Sequence, residues 1–255
     1  MNDAHPRTGR PFLLLAHPGH ELRLFGWMER HRPVVFILSD GSGGAARSRI
    51  AHSLATIGRA GAEAGEVFGQ MSDIAWYAAM LARDAAPFLR VADAMTAAAL
   101  RHRPPILVSD AVDGHNPLHD LCEAIGAGVA RRAAADGLDL RHLASAATAS
   151  AIGEEAEAWE IGAAVADRKR AAVAAYAPLA EEAARIMAAE PDALRVERLL
   201  APGFPWPEAW EPGWEAFGRR RVAEGRFPRA ITYAEHVRPI AQRLLAGVPA
   251  MEPLA

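Results

Sequence analysis

The apolar stretches of this chain are short, and most stop abruptly at glycine, proline or aspartate. Residues 12–16 form a five-residue apolar run that stops at Pro18 and Gly19, which reads as a buried strand. Residues 33–38, PVVFIL, are β-branched and apolar and predict a second strand, closed by the turn sequence SDGSGG. Residues 48–64 have helical spacing. So do residues 73–101, which are alanine-rich, interrupted by Pro87 and stopped by Pro104 and Pro105. A short strand at residues 106–108 leads into the polar turn DAVDGHNPLHD, and residues 119–136 predict a helix with Gly137 at its C-terminal cap. Further on, residues 168–189 read as one long helix, residues 196–200 as a strand and residues 232–245 as a helix. Between these last two lies APGFPWPEAWEPGW, too rich in proline for a helix and too rich in tryptophan to stay solvated. It reads as a packed loop that shapes a cleft wall or an oligomer contact.

Strands alternating with helices from residue 12 to about residue 150 predict an α/β fold: a Rossmann-like, mainly parallel sheet with helices on both faces. A chain of 255 residues suits one domain, with its motif-bearing core at residues 12–150. The polar turns at 17–21, 39–44 and 110–120 all follow strands. In open α/β sheets ligands bind beyond the carboxyl ends of the strands, so these distant segments can meet.

Composition narrows the chemistry. The net charge is −3 and there is no basic block beyond Arg219–Arg221, so phosphate-neutralising nucleic-acid binding is not expected. One cysteine, Cys122, rules out an intrachain disulfide framework or a cysteine-rich zinc module. The N-terminal residues are polar and no run approaches the roughly 20 apolar residues of a membrane span, so a cytoplasmic protein is expected, with a homo-oligomer possible. Any metal must be held by histidine and carboxylate.

Histidines occur in two close pairs, each after a strand: His17 with His20, and His115 with His119. Pro117 favours a helix entry near residues 116–118, which puts His119 on the helix. Three nitrogen or oxygen donors plus water make a catalytic zinc site. Glu21, Asp40, Asp110, Asp113 and Asp120 are the nearby carboxylates, suited to act as base or as partners of the ligands. Each also has a plainer reading. Glu21 opens a helix, Asp40 forms a turn, His52 and His236 are helix residues, and Cys122 is a small buried residue.

AHPGHE after an apolar strand resembles the AHPDDE signature of the PIG-L/LmbE family, zinc-dependent deacetylases acting mostly on N-acetylglucosamine-containing substrates. LSDGSGG resembles that family's TDGEGG turn, RHRPPILVSD its RPDVV strand, and DGHNPLHD its GHPDHD motif, in matching order from residue 12 to residue 120. The resemblance implies that His17, His20 and His119 hold zinc or another divalent transition metal, with His20 standing for the second aspartate of AHPDDE. It implies that His115 stabilises the oxyanion or acts as acid, and that Arg49, with Gly19 beside it, contacts substrate. The expected activity is removal of an acetyl group from an N-acetylated amino sugar or glycoconjugate. One departure matters most: Gly19 occupies the place of the family's general-base aspartate. Glu21, Asp113 or Asp40 takes over the role, or the site runs on metal hydroxide alone, or the protein binds a sugar or metal without hydrolysis, as an accessory protein of glycan or natural-product biosynthesis. Reinstating the carboxylate with Gly19→Asp is the direct test at sequence level. A second departure is His52, where the family usually has glutamate.

Overall fold

A computed structural model describes residues 9–43 and 47–246. Seven strands form one sheet in the order β3-β2-β1-β4-β5-β7-β6. They are β1 (Phe12–Leu15), β2 (Val34–Ser39), β3 (Glu63–Met71), β4 (Ile106–Asp110), β5 (Arg141–Ser145), β6 (Glu154–Glu160) and β7 (Val196–Ala201). Strands β1 to β5 pair in parallel, whereas β7 runs antiparallel to both β5 and β6. The sheet is thus Rossmann-like and mainly parallel, as expected, with an antiparallel extension at one edge.

The strands at the centre read as unbroken apolar runs because both faces are covered. Phe12 and Leu14 of β1 point into a core built with α3 (Asp73–Leu81), α4 (Ala86–His102), α5 (Pro117–Ala135) and α9 (Arg238–Leu245). Leu13 and Leu15 point the other way, into a core shared with α1 (Phe25–His31), α2 (Ile50–Arg59) and α6 (Ala163–Ala175). All four side chains of β1 are fully buried. The chain builds outward from β1 to β3, then returns on the other side of β1 with β4. This reversal opens a crevice beyond the ends of β1 and β4. Among the described residues no helix is long and apolar enough to cross a membrane.

Several expectations about elements need correction. The helix expected over residues 48–64 ends at Arg59, and Glu63–Met71 is an edge strand instead. Its sequence, EAGEVFGQM, has two glycines, two glutamates and a single β-branched residue, so β propensity does not reveal it; pairing with β2 does. Strands β5 and β6 likewise do not stand out by pattern, and β6 alternates charged with small residues at the other edge. The helix expected over residues 168–189 is two helices, α6 and α7 (Ala180–Ala189), separated by a 3₁₀ turn at Ala177–Leu179. Pro178 lacks the N–H a continuous helix needs. Tyr176 is anchored beneath the break, its hydroxyl 3.0 Å from Ser53 Oγ. The Pro/Trp-rich segment is packed as expected, but none of its residues lines the cleft. Phe204, Trp206, Trp210 and Tyr233 form an aromatic cluster, and Trp214 Nε1 donates to Asp120 Oδ2 at 2.7 Å. The remaining helix, α8 (Gly213–Ala223), follows it.

Candidate metal centre

Three imidazoles meet at the crevice. His17 leaves β1, His20 opens the 3₁₀ turn His20–Leu24, and His119 lies in the first turn of α5. Asn116 caps α5, its Oδ1 accepting from Leu118 N–H at 2.9 Å, with Pro117 behind it, so the helix starts where the sequence places it. One ligand atom from each ring lies within 4.8 Å of the others, and His17 Nδ1 is 3.1 Å from His119 Nε2. Nitrogens bound to one tetrahedral zinc at about 2.0–2.1 Å would lie roughly 3.3 Å apart.

The opposite edge of every ring meets its own carboxylate. His17 Nε2 lies 3.1 Å from Asp73 Oδ1, His20 Nδ1 2.7 Å from Asp110 Oδ2, and His119 Nδ1 2.8 Å from Asp113 Oδ2. Metal-binding histidines characteristically donate their other N–H in this way, which fixes tautomer and orientation. The donor set therefore fits a nitrogen-preferring divalent cation. The carboxylates are themselves held. Asp73 accepts from Ser39 Oγ (2.6 Å) and Gly43 N–H (2.5 Å), and Asp110 accepts from Ala16 N–H (2.7 Å). Asp113 accepts from His115 N–H and from the Thr148 hydroxyl.

Electrostatics follow from burial and these pairings. Burial drives the His17 pKa down to about 4 against the pull of Asp73, so its ring is neutral at neutral pH. Burial acts the same way on His119, but the hydrogen bond and charge of Asp113 outweigh it and raise the pKa. For Asp73, burial opposes ionisation, yet the bonds from His17, Ser39 and Gly43 hold the carboxyl well below its usual range.

The cleft over this cluster has a volume of about 330 Å³. His115 and Arg49 line it beside the three rings. His115 is exposed, its ring centroid 6.4 Å from that of His119. Arg49 donates from Nε to Gly41 O at 2.7 Å. The three carboxylates put forward as replacement bases do not line the cleft. Glu21 is fully buried with Oε2 accepting from Gly19 N–H at 2.6 Å, and burial raises its pKa. Asp40 forms a turn, accepting from Ser42 N–H at 2.9 Å. Asp113 has both oxygens committed. The carboxylates that do line the cleft are Asp73 and Glu182 of α7. Neither stands out in the sequence. Asp73 lies just after β3, so a strand hidden from pattern also hides a fourth post-strand turn. Cys122 is fully buried against Leu14 O, and His52 and His236 do not line the cleft.

Gly19 is more constrained than a missing side chain suggests. Its φ of +109° lies where L-residues are strained, and a Cβ there would stand 2.2 Å from Leu179 Cδ1. Leu179, in the turn that breaks α6 from α7, stands where the first atom of a side chain at residue 19 would go. Gly19→Asp alone is therefore not the simple restoration expected from sequence.

Neither a family model nor a curated protein matches this chain. Solved structures do. The A40926 pseudoaglycone deacetylase superposes with a TM-score of 0.53 at 16% identity, over 75% of this chain and 96% of the other. A conserved protein from Thermus thermophilus gives 0.50 at 16%, over 79% and 100%. A zinc-inhibited form of teicoplanin deacetylase gives 0.50 at 10%, over 76% and 99%. At these identities the likeness is one of fold: the chain has the α/β architecture of these deacetylases.

Proposed function

We propose that this chain is a metal-dependent hydrolase that removes an acyl group from an N-acylated amino sugar or glycoconjugate. The observation that carries this reading is the convergence of His17, His20 and His119, each tied to its own carboxylate, where the strand order of a deacetylase-like sheet reverses. The PIG-L/LmbE-like motifs lend it further support. Zinc, or another divalent transition metal suited to imidazole, would lower the pKa of a bound water towards 7 and polarise the amide carbonyl. The chain supplies the rest. Asp73, Asp110 and Asp113 keep the outer ring nitrogens protonated, which aims the inner lone pairs at one point. Arg49 offers guanidinium N–H groups to the sugar. Glu182, an exposed carboxylate lining the same cleft, would accept the proton of the attacking water, and His115 would give a proton to the amine as the C–N bond breaks.

A second reading has its own observation. A left-handed backbone and the Leu179 side chain both stand against a carboxylate at residue 19, which favours a non-hydrolytic protein that binds a sugar or metal as an accessory in glycan or natural-product biosynthesis. Metal content of the untagged protein, with His17→Ala and His119→Ala beside it, followed by amine release from N-acylated glucosamines, separates the two. Near-stoichiometric metal lost in both variants, with release that depends on it, supports the hydrolase. Metal without release supports the second reading. Failure to take up zinc, cobalt or nickel on titration removes the metal-dependent hydrolase.

A further inference from the structure

One wall of the cleft is apolar over a length that an acetyl group does not need. Leu179, just before α7, and Ala183, Ile186 and Met187 along it recur at helical spacing and line the cavity, with Glu182 the one carboxylate among them. An amphipathic helix usually spends its apolar stripe on the core, but α7 has no buried residue and Met187 is 36% exposed. Leu22, Val173 and Leu194 complete the wall. From Leu179, against Gly19 at the metal end, to Met187 the stripe extends about 12 Å at 1.5 Å per residue.

The cations on this side do not make an anion site. Lys169 Nζ is buried on Glu197 Oε1 at 2.9 Å and on Arg23 O at 2.9 Å. The Arg23 guanidinium donates to Glu190 Oε2 at 2.9 Å, just past the end of α7, and to Ala147 O at 3.2 Å. Apart from Glu182, sugar hydroxyls would find few partners along such a wall, whereas methylene groups would find contact along most of it.

Building on the hydrolase reading, we propose that the preferred substrate carries a medium-length N-acyl chain, roughly eight carbons, laid along the apolar face of α7 with its amide at the imidazole cluster. Burying one methylene is worth about fourfold in affinity, so six beyond acetyl set a ceiling of several thousandfold, and ordering the chain takes back part of it. The test measures binding of N-octanoylglucosamine and N-acetylglucosamine, below micelle formation, to the protein as purified and after chelator treatment to prevent turnover. Ile186→Asp and Met187→Glu serve as variants, each checked for an unchanged thermal midpoint and metal content. The octanoyl compound should bind at least about thirtyfold more tightly, and both variants should cut that ratio to about threefold or less. A wild-type ratio within about threefold overturns the proposal, as does a large ratio that both variants leave intact, since the chain then sits elsewhere. Failure of the hydrolase reading shows separately, as absent metal or absent amine release.

Discussion

Placing a carboxylate at residue 19 tests how the fold has closed around its glycine. Gly19→Asp forces an L-residue to φ near +109°, a strain of about 1–3 kcal/mol. It also drives a Cβ to within 2.2 Å of Leu179 Cδ1, the tip of a half-buried side chain that turns aside at about 1 kcal/mol more. The single variant should lose about 2–4 kcal/mol of stability, measured as a fall in the urea midpoint at constant slope. Leu179→Ala, which truncates a half-buried side chain, should cost about 1–2 kcal/mol. In the double variant the clash is gone and only the backbone strain remains. The two changes should therefore fall short of additivity by about 1 kcal/mol. Gly19→Asp alone should not increase amine release, whereas the double variant puts the carboxylate beside the imidazoles without the collision. A Gly19→Asp cost below about 0.5 kcal/mol, or strict additivity, would refute the claim that Leu179 has taken the space.

Three other variants probe separate parts of the argument. Asp73→Asn should weaken metal binding about 10–100-fold by releasing the His17 ring, read by competition with a chromogenic chelator; unchanged affinity would separate Asp73 from the centre. Glu182→Gln should lower kcat for amine release about 10²–10⁴-fold at constant metal content, and an unaltered rate and pH profile would remove Glu182 as the base. Glu123 is buried, with Oε2 accepting from Val112 N–H, and burial raises its pKa from 4.5 to about 7. Because the folded value lies above the unfolded one, its contribution is fully present below about pH 4.5 and is lost as pH rises through 7, at most ~3 kcal/mol. Glu123→Gln keeps an acceptor for Val112 and should flatten the fall in thermal midpoint between pH 5 and pH 8; parallel curves for both proteins would count against it.

The apolar runs at residues 12–16, 33–38 and 106–108 were enough to assign the buried central strands, since a strand covered on both faces has to be continuously apolar. Pro117 and Asn116 marked the start of α5 because capping is a local matter. The spacing of His17, His20 and His119 after those strands, with the order of the motifs, was likewise readable without coordinates. Edge strands were not. β3 gains its conformation from pairing with β2, and without that strand Asp73 had no reason to stand near His17. Asp110 and Asp113 were among the candidate partners, but which ring each would meet was not readable, since Asp110 lies 90 positions from His20, and Asp73, 56 positions from His17, escaped altogether. So did the fate of residue 19. A glycine in a motif reads as an absence, but here Pro178 and the anchored Tyr176 break a helix and set Leu179 into the vacated space. Local preferences set by capping, turns and burial were written in the chain. Which side chains became neighbours, and which places were closed to them, was decided only when distant segments packed against one another.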